Sequence, residues 1–255
     1  MNAPKSETKF AATPAERLIV ALDVESAAAA RGVVAELDGV VTTFKIGLQL
    51  FTAAGPLFVE ELVAKGKRIF LDLKFHDIPN TVAKAGIEAA RLGVWMFNVH
   101  AGGGSEMMRD VAGEVSEFCS TGGRTRPFII GVTVLTSSNR DTLSETGVDV
   151  SVETQVSRLA GLAERSGLDG VVASANEIGL IRETAESSGF VIVTPGIRPL
   201  YATNDDQKRV MTPGAAISAG ADHLVVGRPI LDAADRAGAA ARIIDEIGEA
   251  VSGLT

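Results

Sequence analysis

The stretch RIFLDLKFHDIPNTVAKAGIEAARLGVWMFNVH, residues 68–100, contains a complete β-α-β unit. Its two ends, RIFLDLK (68–74) and VWMFNVH (94–100), are short apolar runs of the kind that form buried strands. Between them, TVAKAGIEAARL carries its apolar residues at helical spacing. This unit predicts two strands of one sheet with a helix packed on the face of that sheet.

The same alternation continues along the whole chain. The predicted strands are LIVALD (18–23), VTTFKI (41–46), RIFLDLK (68–74), VWMFNVH (94–100), PFIIGVTVL (127–135), GVVAS (170–174), FVIVTP (190–195) and DHLVVG (222–227). Eight β-α repeats in 255 residues predict a single (β/α)8 TIM barrel. A doubly wound open sheet is the alternative, because alternation alone does not separate the two. No linker divides the chain, so we assign residues 17–255 to the barrel and residues 1–16 to a flexible N-terminal extension.

Composition narrows the class of protein. Hydrophobic residues make up 46% and aromatic residues 5%, with 27 glycines, which is typical of α/β proteins. The net charge of −8 argues against nucleic acid and anionic membranes as partners. The single cysteine, Cys119, excludes intrachain disulfides, and no apolar run approaches the roughly 20 residues that span a bilayer. With no signal peptide recognised, we expect a cytoplasmic protein.

Charged residues stand at the ends of three predicted strands. Asp23 ends the first, Lys45 the second, and Asp72 with Lys74 the third, and Asp77 follows three residues later. Each has an ordinary structural alternative, such as a helix cap, a solvent-exposed lysine or a structural ion pair. However, catalytic groups of such barrels lie at the carboxyl ends of the strands. The convergence of these charges on one rim therefore predicts a catalytic Lys/Asp network.

This network suits proton delivery. Side chains alternate between the faces of a strand, so Asp72 and Lys74 are expected to point the same way. Neighbouring carboxylates keep an ammonium charged and oriented, and a low local dielectric strengthens the interaction. A carboxylate near a bound anionic group would also repel it.

Two short segments near the C-terminus predict a phosphate site. GIRP (196–199) and VGRP (226–229) follow the seventh and eighth strands, the position at which barrels often bind phosphate. Arg198 and Arg228 each offer a planar guanidinium, and Gly227 allows a ligand to approach the backbone. Pro229 is expected to begin a helix whose N-terminus adds N–H donors. An isolated rim arginine is usually only a surface residue, so the prediction depends on the pair.

A long polar segment lies between these two motifs. RPLYATNDDQKRVMTP, residues 198–213, has few hydrophobic residues to anchor it. Beside a phosphate site, it is interpreted as a lid that closes over the ligand rather than as a simple surface loop. Gln207 is the lid residue expected to contact the substrate.

Taken together, these motifs closely resemble the orotidine 5′-phosphate decarboxylase family. The resemblance rests on FKIG, FLDLKFHDIPNT, GVTVLTS, PGIRP…DDQKRVMTP and DHLVVGRPI, and it runs from about Leu18 to the final helix. It implies decarboxylation of orotidine 5′-monophosphate to uridine 5′-monophosphate (UMP) without a metal or organic cofactor. It also implies a homodimer.

The resemblance carries over a role for each matching residue. Lys74 would protonate C6 of the pyrimidine as the general acid, and Asp72 would lie beside the departing carboxylate. Asp77 and Thr81 would reach the substrate of the neighbouring subunit. The other expected substrate contacts are Asp23 and Lys45 to the ribose, Ser174 to the pyrimidine, Gln207 to phosphate and base, Gly227 and Arg228 to phosphate, and Thr136 and Arg198.

Two alternatives remain. Asp-x-Lys-x-x-Asp is shared with related sugar-phosphate lyases, which include metal-assisted 3-keto-gulonate-phosphate decarboxylases and hexulose-phosphate synthases. Those relatives carry an acidic residue where Lys45 stands. A noncatalytic, nucleotide-sensing barrel is the alternative of another class. The three histidines, His76, His100 and His223, are interpreted as structural.

Overall fold

The strands close into a parallel barrel. In a computed structural model, which describes residues 13–199 and 211–254, each strand pairs in parallel with the next, and the last pairs with the first. The strands are β1 (Leu18–Ala21), β2 (Thr43–Gly47), β3 (Arg68–Phe75), β4 (Met96–His100), β5 (Phe128–Val132), β6 (Gly170–Val172), β7 (Val191–Pro195) and β8 (His223–Val226). The pairing of β1 with β8 confirms the predicted (β/α)8 TIM barrel and excludes the open sheet.

Helices cover the outside of the barrel. Within the described ranges they are α1 (Pro14–Arg17), α2 (Ala27–Glu36), α3 (Leu48–Ala54), α4 (Pro56–Ala64), α5 (Pro79–Arg91), α6 (Gly104–Thr121), α7 (Arg140–Glu145), α8 (Val152–Arg165), α9 (Ile178–Thr184), α10 (Pro213–Ser218), α11 (Arg228–Leu231) and α12 (Arg236–Ser252). Two helices, rather than one, follow β2, β5 and β8. Between α3 and α4 the chain turns at Gly55, whose φ of 71° lies in the left-handed region, and Pro56 begins the next helix.

Alternation along the strands divides the core into two layers. One face of each strand packs against the helices, and the other fills the barrel. The interior layer consists of small and branched side chains with one phenylalanine and one methionine: Ile19, Ala21, Phe70, Met96, Ile130, Val191, Val193 and Val225. Asp23 and Asp72 come two residues after Ala21 and Phe70 in the chain. The apolar interior therefore forms the floor beneath the charged rim.

Polar and aromatic side chains close the opposite, N-terminal end of the barrel. The guanidinium of Arg68 lies 4.1 Å from the centre of the Trp95 ring and donates to Glu16 Oε1 at 2.9 Å. The ring of His223 meets Trp95 edge-on, and its Nδ1 lies 3.1 Å from the carbonyl oxygen of Glu16. Glu16 in turn forms a capping box with Thr13 at the start of α1. These contacts fasten α1 beneath the barrel.

The predicted N-terminal extension covers residues 1–16, of which residues 1–12 lie outside the described part of the chain. Residues 14–16 belong to α1. None of the helices in residues 13–199 and 211–254 is both long and apolar enough to cross a membrane.

Candidate active site

A cavity of about 810 Å³ opens at the carboxyl ends of the strands. Its wall contains most of the residues that the sequence singled out. They are Asp23, Lys45, Asp72, Lys74, Thr136, Arg198, Gly227 and Arg228. Because these side chains come from six different strands or the loops that follow them, only closure of the barrel brings them together.

Four charged side chains form a continuous chain along one wall of the cavity. Lys45 Nζ lies 3.1 Å from Asp23 Oδ1 and 3.3 Å from Asp72 Oδ2. Asp72 Oδ1 then accepts a hydrogen bond from Lys74 Nζ at 2.6 Å. Acid and base alternate, so each ammonium faces a carboxylate. Asp23 does not cap α2, whose N-cap is Ser26.

The network holds Asp72 in its charged form. Only 13% of this side chain is exposed, and burial by itself raises the pKa of a carboxyl group. The charge of Lys45, the hydrogen bond and charge of Lys74, and a hydrogen bond from Asn98 oppose this effect and outweigh it. The pKa of Asp72 therefore lies below its ordinary value. Asp72 is consequently an anion at neutral pH.

The end of β3 departs from regular strand geometry at Lys74. Leu71 pairs with Phe97 and Phe75 with Val99, so β3 uses two more residues than β4 between these pairs. Lys74 takes up this irregularity with a φ of 53°, and it is the one non-glycine residue of the described ranges with a positive φ. Its backbone N–H donates to Asn98 Oδ1 at 2.7 Å. The bulge aims the Lys74 side chain into the cavity and still leaves it beside Asp72.

Sequence reasoning missed two residues that lie against this charged network. Asn98, at the centre of β4, is 1% exposed and binds both Asp72 and Lys74. The available signal was an amide at a barrel-interior position, in alternation with Met96. The other is Gly47, at the end of β2, where a Cβ atom would lie 3.1 Å from Lys45 Nζ. A side chain there would press on the ammonium group.

The opposite end of the cavity is cationic. Arg198 and Arg228 line it, and among the described residues neither guanidinium has a carboxylate or hydrogen-bond partner. Gly227 precedes α11, which is only four residues long and has Pro229 in its first turn. In a chain of net charge −8, two guanidinium groups that lie in one cavity without a partner in residues 13–199 and 211–254 favour a bound anion. The predicted lid contact Gln207 lies outside the described residues.

Three predicted contact residues do not line the cavity of this chain. The carboxylate of Asp77 accepts from the N–H of Ile78 at 2.7 Å, and the N-cap of α5 is Ile78 rather than Asp77. Thr81 is exposed on the first turn of α5. Ser174 donates from Oγ to the carboxylate of Glu177, although its neighbour Ala173 does line the cavity.

Two of the three histidines, His76 and His100, lie near the site without entering the charged chain, whereas His223 lies at the opposite end of the barrel. The rings of His76 and His100 lie 5.3 Å apart at the end of β4. Burial, and then the nearby charges of His76 and Lys74, lower the pKa of His100 below its ordinary value. His100 is therefore neutral at physiological pH. Among residues 13–199 and 211–254, no group of three or more His, Cys, Asp or Glu side chains is arranged to hold a metal ion.

The fold and the site together define a (β/α)8-barrel enzyme with an acid–base network and two arginines on its C-terminal rim. The family model described as orotidine 5′-phosphate decarboxylase / HUMPS family matches residues 16–243. The chain belongs to this family.

The sequence of this chain aligns with individual relatives over nearly their whole length. The chain is 56% identical to orotidine 5′-phosphate decarboxylase from Syntrophotalea carbinolica, over 92% of this chain and 96% of that protein. It is 54% identical to the Geobacter sulfurreducens protein of the same name, over 91% and 96%. The crystal structure of orotidine 5′-phosphate decarboxylase from Lactobacillus acidophilus superposes with a TM-score of 0.80 at 36% identity, covering 90% of this chain and 98% of that one.

Proposed function

We propose that this enzyme decarboxylates orotidine 5′-monophosphate to UMP and carbon dioxide. The observation that carries the proposal is the chain Asp23–Lys45–Asp72–Lys74, held within 2.6–3.3 Å contacts on the wall of a cavity. Family membership and relatives of this name at over 50% identity support the same substrate. Formation of UMP is the last step of uridylate synthesis.

The two ends of the cavity match the two ends of the substrate. The phosphate group carries most of the negative charge and suits the guanidinium groups of Arg198 and Arg228. The pyrimidine then extends toward Lys74 and Asp72, and the ribose hydroxyls lie within reach of Asp23 and Lys45. Binding energy from the phosphate is thereby available to hold the pyrimidine carboxylate against the charged wall.

Lys74 supplies the proton in the proposed reaction. The bond between C6 and the carboxylate carbon breaks, carbon dioxide leaves, and the electron pair stays on C6. A proton then moves from the Lys74 ammonium to C6, which gives UMP and a neutral lysine that solvent reprotonates. Asp72 keeps the ammonium aimed, and as an anion it repels the substrate carboxylate but not neutral carbon dioxide.

Lys45 separates this proposal from the metal-assisted alternative. Its ammonium lies 3.1 and 3.3 Å from the carboxylates of Asp23 and Asp72 and balances their charge. A divalent cation at the same carboxylates would be repelled by that ammonium. We therefore propose chemistry without a metal or organic cofactor.

We further propose a homodimer in which Asp77 and Thr81 complete the site of the neighbouring subunit. Both lie beside the exposed Ile78 and outside the cavity of their own chain, which supports a role across an interface. Inactive Lys74→Ala and Asp77→Ala proteins, mixed under conditions of subunit exchange, should regain activity. A hybrid dimer contains one intact site, so recovery approaches about a quarter of the wild-type rate. Proven exchange without recovery would assign Asp77 to its own subunit.

The reaction itself is tested by following the product in D2O. Wild-type enzyme should convert orotidine 5′-monophosphate to UMP that carries deuterium at C6, because the Lys74 ammonium exchanges with solvent. Lys74→Ala should bind UMP with unchanged affinity and form no product on the same timescale. Equal turnover by the two proteins would remove Lys74 as the proton donor. Binding of UMP without turnover even by the wild type would favour the nucleotide sensor.

Composition supports a proposal about the cellular compartment and about which partners are excluded. The single cysteine, which is buried, supports a reducing compartment, and we propose the cytoplasm. The net charge of −8 supports the expectation that neither nucleic acid nor anionic membrane is a partner.

A further inference from the structure

We propose that Asn98 is a positioning residue that fixes the proton donor Lys74 and the carboxylate of Asp72 relative to each other. The inference rests on the proposed function, in which Lys74 protonates the substrate. Asn98 lies on β4, next to the irregular end of β3, and its side chain points into the barrel interior. It reaches the reacting groups through Lys74 and Asp72 rather than by contact with the substrate.

The amide of Asn98 bridges two parts of the same strand. Its Oδ1 accepts from the backbone N–H of Lys74 at 2.7 Å, and its Nδ2 donates to Asp72 Oδ1 at 2.7 Å. That same carboxylate oxygen accepts from Lys74 Nζ at 2.6 Å. Asn98, Asp72 and Lys74 therefore form a closed ring that contains both the backbone and the ammonium of Lys74.

This ring lies where the strand ladder cannot hold Lys74. The register between β3 and β4 shifts between Leu71 and Phe75, and Lys74 has a φ of 53°. Non-glycine residues occupy this region rarely, and such conformations persist where surrounding contacts enforce them. The side chain of Asn98 provides the acceptor for the backbone N–H at this position. Without this acceptor, the backbone N–H of Lys74 loses its partner. The backbone conformation that directs the Lys74 side chain into the cavity is then less stable.

Only a side chain that both donates and accepts satisfies these two partners. The Lys74 N–H can only donate, and the ionised carboxylate of Asp72 can only accept, which also fixes the orientation of the amide. A leucine of similar size offers neither function. An aspartate offers the acceptor but, when ionised, places a second negative charge against Asp72. A protonated aspartate would restore the donor.

Packing alone does not account for Asn98. Its neighbours Phe97 and Val99 belong to the outer hydrophobic layer, whereas Met96, two residues before Asn98, is the β4 member of the interior layer. The 1% exposure of Asn98 makes an unpaired amide costly there, so both hydrogen bonds are needed for the residue to occupy this site.

The test compares Asn98→Leu and Asn98→Asp with Thr194→Val. Thr194 is also fully buried and polar, but its hydroxyl has no partner among the described residues, so its change controls for the loss of a buried polar group. Asn98→Leu should lower kcat by about 10²-fold, the effect of a misplacement on the order of 1 Å, with the affinity for UMP nearly unchanged. Thr194→Val should keep the wild-type kcat.

Asn98→Asp should show a pH dependence of kcat that a purely structural role of Asn98 would not produce. Two adjacent carboxyl groups share one proton, as in carboxylate dyads, so the pKa of the pair is raised. Its kcat should approach the wild-type value at low pH, where the shared proton restores the donor, and fall as the pair loses that proton. The wild-type kcat should lack this decrease.

A measurement without turnover separates this inference from the proposed function. In lysine labelled with 13C at Cε, the Lys74 resonance, assigned with Lys74→Arg, should shift in Asn98→Leu and stay unchanged in Thr194→Val. An unchanged resonance together with wild-type kcat in both Asn98 variants would overturn the inference. Failure of the wild type to act on orotidine 5′-monophosphate would instead contradict the proposed function, and the resonance would still report on Asn98.

Discussion

Lys74 Nζ lies 2.6 Å from Asp72 Oδ1, although the strand between the two residues is irregular. The contact joins the proposed proton donor to an anion that is only 13% exposed. In water such a pair contributes little, but at this depth it orients the ammonium strongly.

Removal of Lys74 should lower kcat by orders of magnitude and leave the fold intact. Lys74→Ala takes away the proton donor, a contribution of roughly 10²–10⁴-fold in kcat. Asp72 keeps Lys45 and Asn98 as partners, so the free energy of unfolding should change by less than about 2 kcal/mol. Lys84→Ala, which removes an exposed lysine paired with Glu114, is the matched control and should retain full activity. Steady-state kinetics and urea unfolding measure both effects, and a Lys74→Ala enzyme with a near-wild-type kcat would contradict the assignment.

Gly47 should be intolerant of even a methyl group. A Cβ there would lie 3.1 Å from Lys45 Nζ and 3.9 Å from Asp23 Oδ1, so Gly47→Ala should displace the ammonium from its two carboxylates. We expect kcat/KM to fall by about 10-fold or more. Gly32→Ala is the control, because a Cβ at that helical position meets nothing within 4 Å. It should keep full activity and gain up to about 1 kcal/mol of stability. Equal activity in the two variants would show that Lys45 does not need its present position.

The two rim arginines should contribute only to binding of the substrate phosphate. Arg228→Ala or Arg198→Ala removes a charge-assisted hydrogen bond of about 1.5–3 kcal/mol, which corresponds to roughly a 10- to 150-fold rise in KM. Turnover of orotidine, which lacks the phosphate, should not change with either substitution. Arg165→Ala, an exposed position at the end of α8, provides the charge-matched control. Equal losses with orotidine and its phosphate would place these arginines elsewhere in the mechanism.

His223 should make the protein less stable in acid. Burial lowers the pKa of His223 to about 4 in the folded state, below an unfolded value of roughly 6.5. As the pH falls below 6.5, the unfolded state binds a proton that the folded state excludes, so stability decreases until about pH 4. The shift corresponds to about 3 kcal/mol.

Urea unfolding between pH 7.5 and pH 4.5 measures this loss. His223→Gln keeps an N–H donor for the carbonyl of Glu16 and should flatten the dependence of stability on pH. His76→Gln changes an exposed histidine and should leave that dependence intact. The same slope in His223→Gln as in the wild type would assign the acid sensitivity to other groups.

The sequence predicted the barrel because its signals are local. Each strand carries an apolar run, each helix a helical spacing, and the charges of Asp23, Lys45 and Asp72 stand at strand ends, where the fold must bring them together. Even so, some boundaries differed. The predicted fifth strand, residues 127–135, ends at Val132, and Val134 and Leu135 instead line the cavity.

Asn98 and Gly47 were missed for a different reason. The role of Asn98 depends on the two extra residues of β3 opposite β4. The role of Gly47 depends on where Lys45 Nζ lies between Asp23 and Asp72, and no local pattern encodes either arrangement. Lys74 was predicted from strand alternation, yet it reaches its position through a bulge with a φ of 53°. Residue types therefore predicted the chemistry of the site, but they did not predict its geometry.

Decarboxylation of the nucleotide without a metal is tested by incubating the purified protein with orotidine 5′-monophosphate in EDTA and measuring carbon dioxide release and UMP formation. We expect rapid turnover that magnesium does not increase, because Lys45 and Lys74 provide the cationic charge of the site. Complete loss of activity in EDTA with rescue by magnesium, or turnover of hexulose or pentulose phosphates in place of the nucleotide, would contradict the account. In that case the barrel fold would remain valid, but Lys74 could no longer be assigned as the proton donor to a pyrimidine.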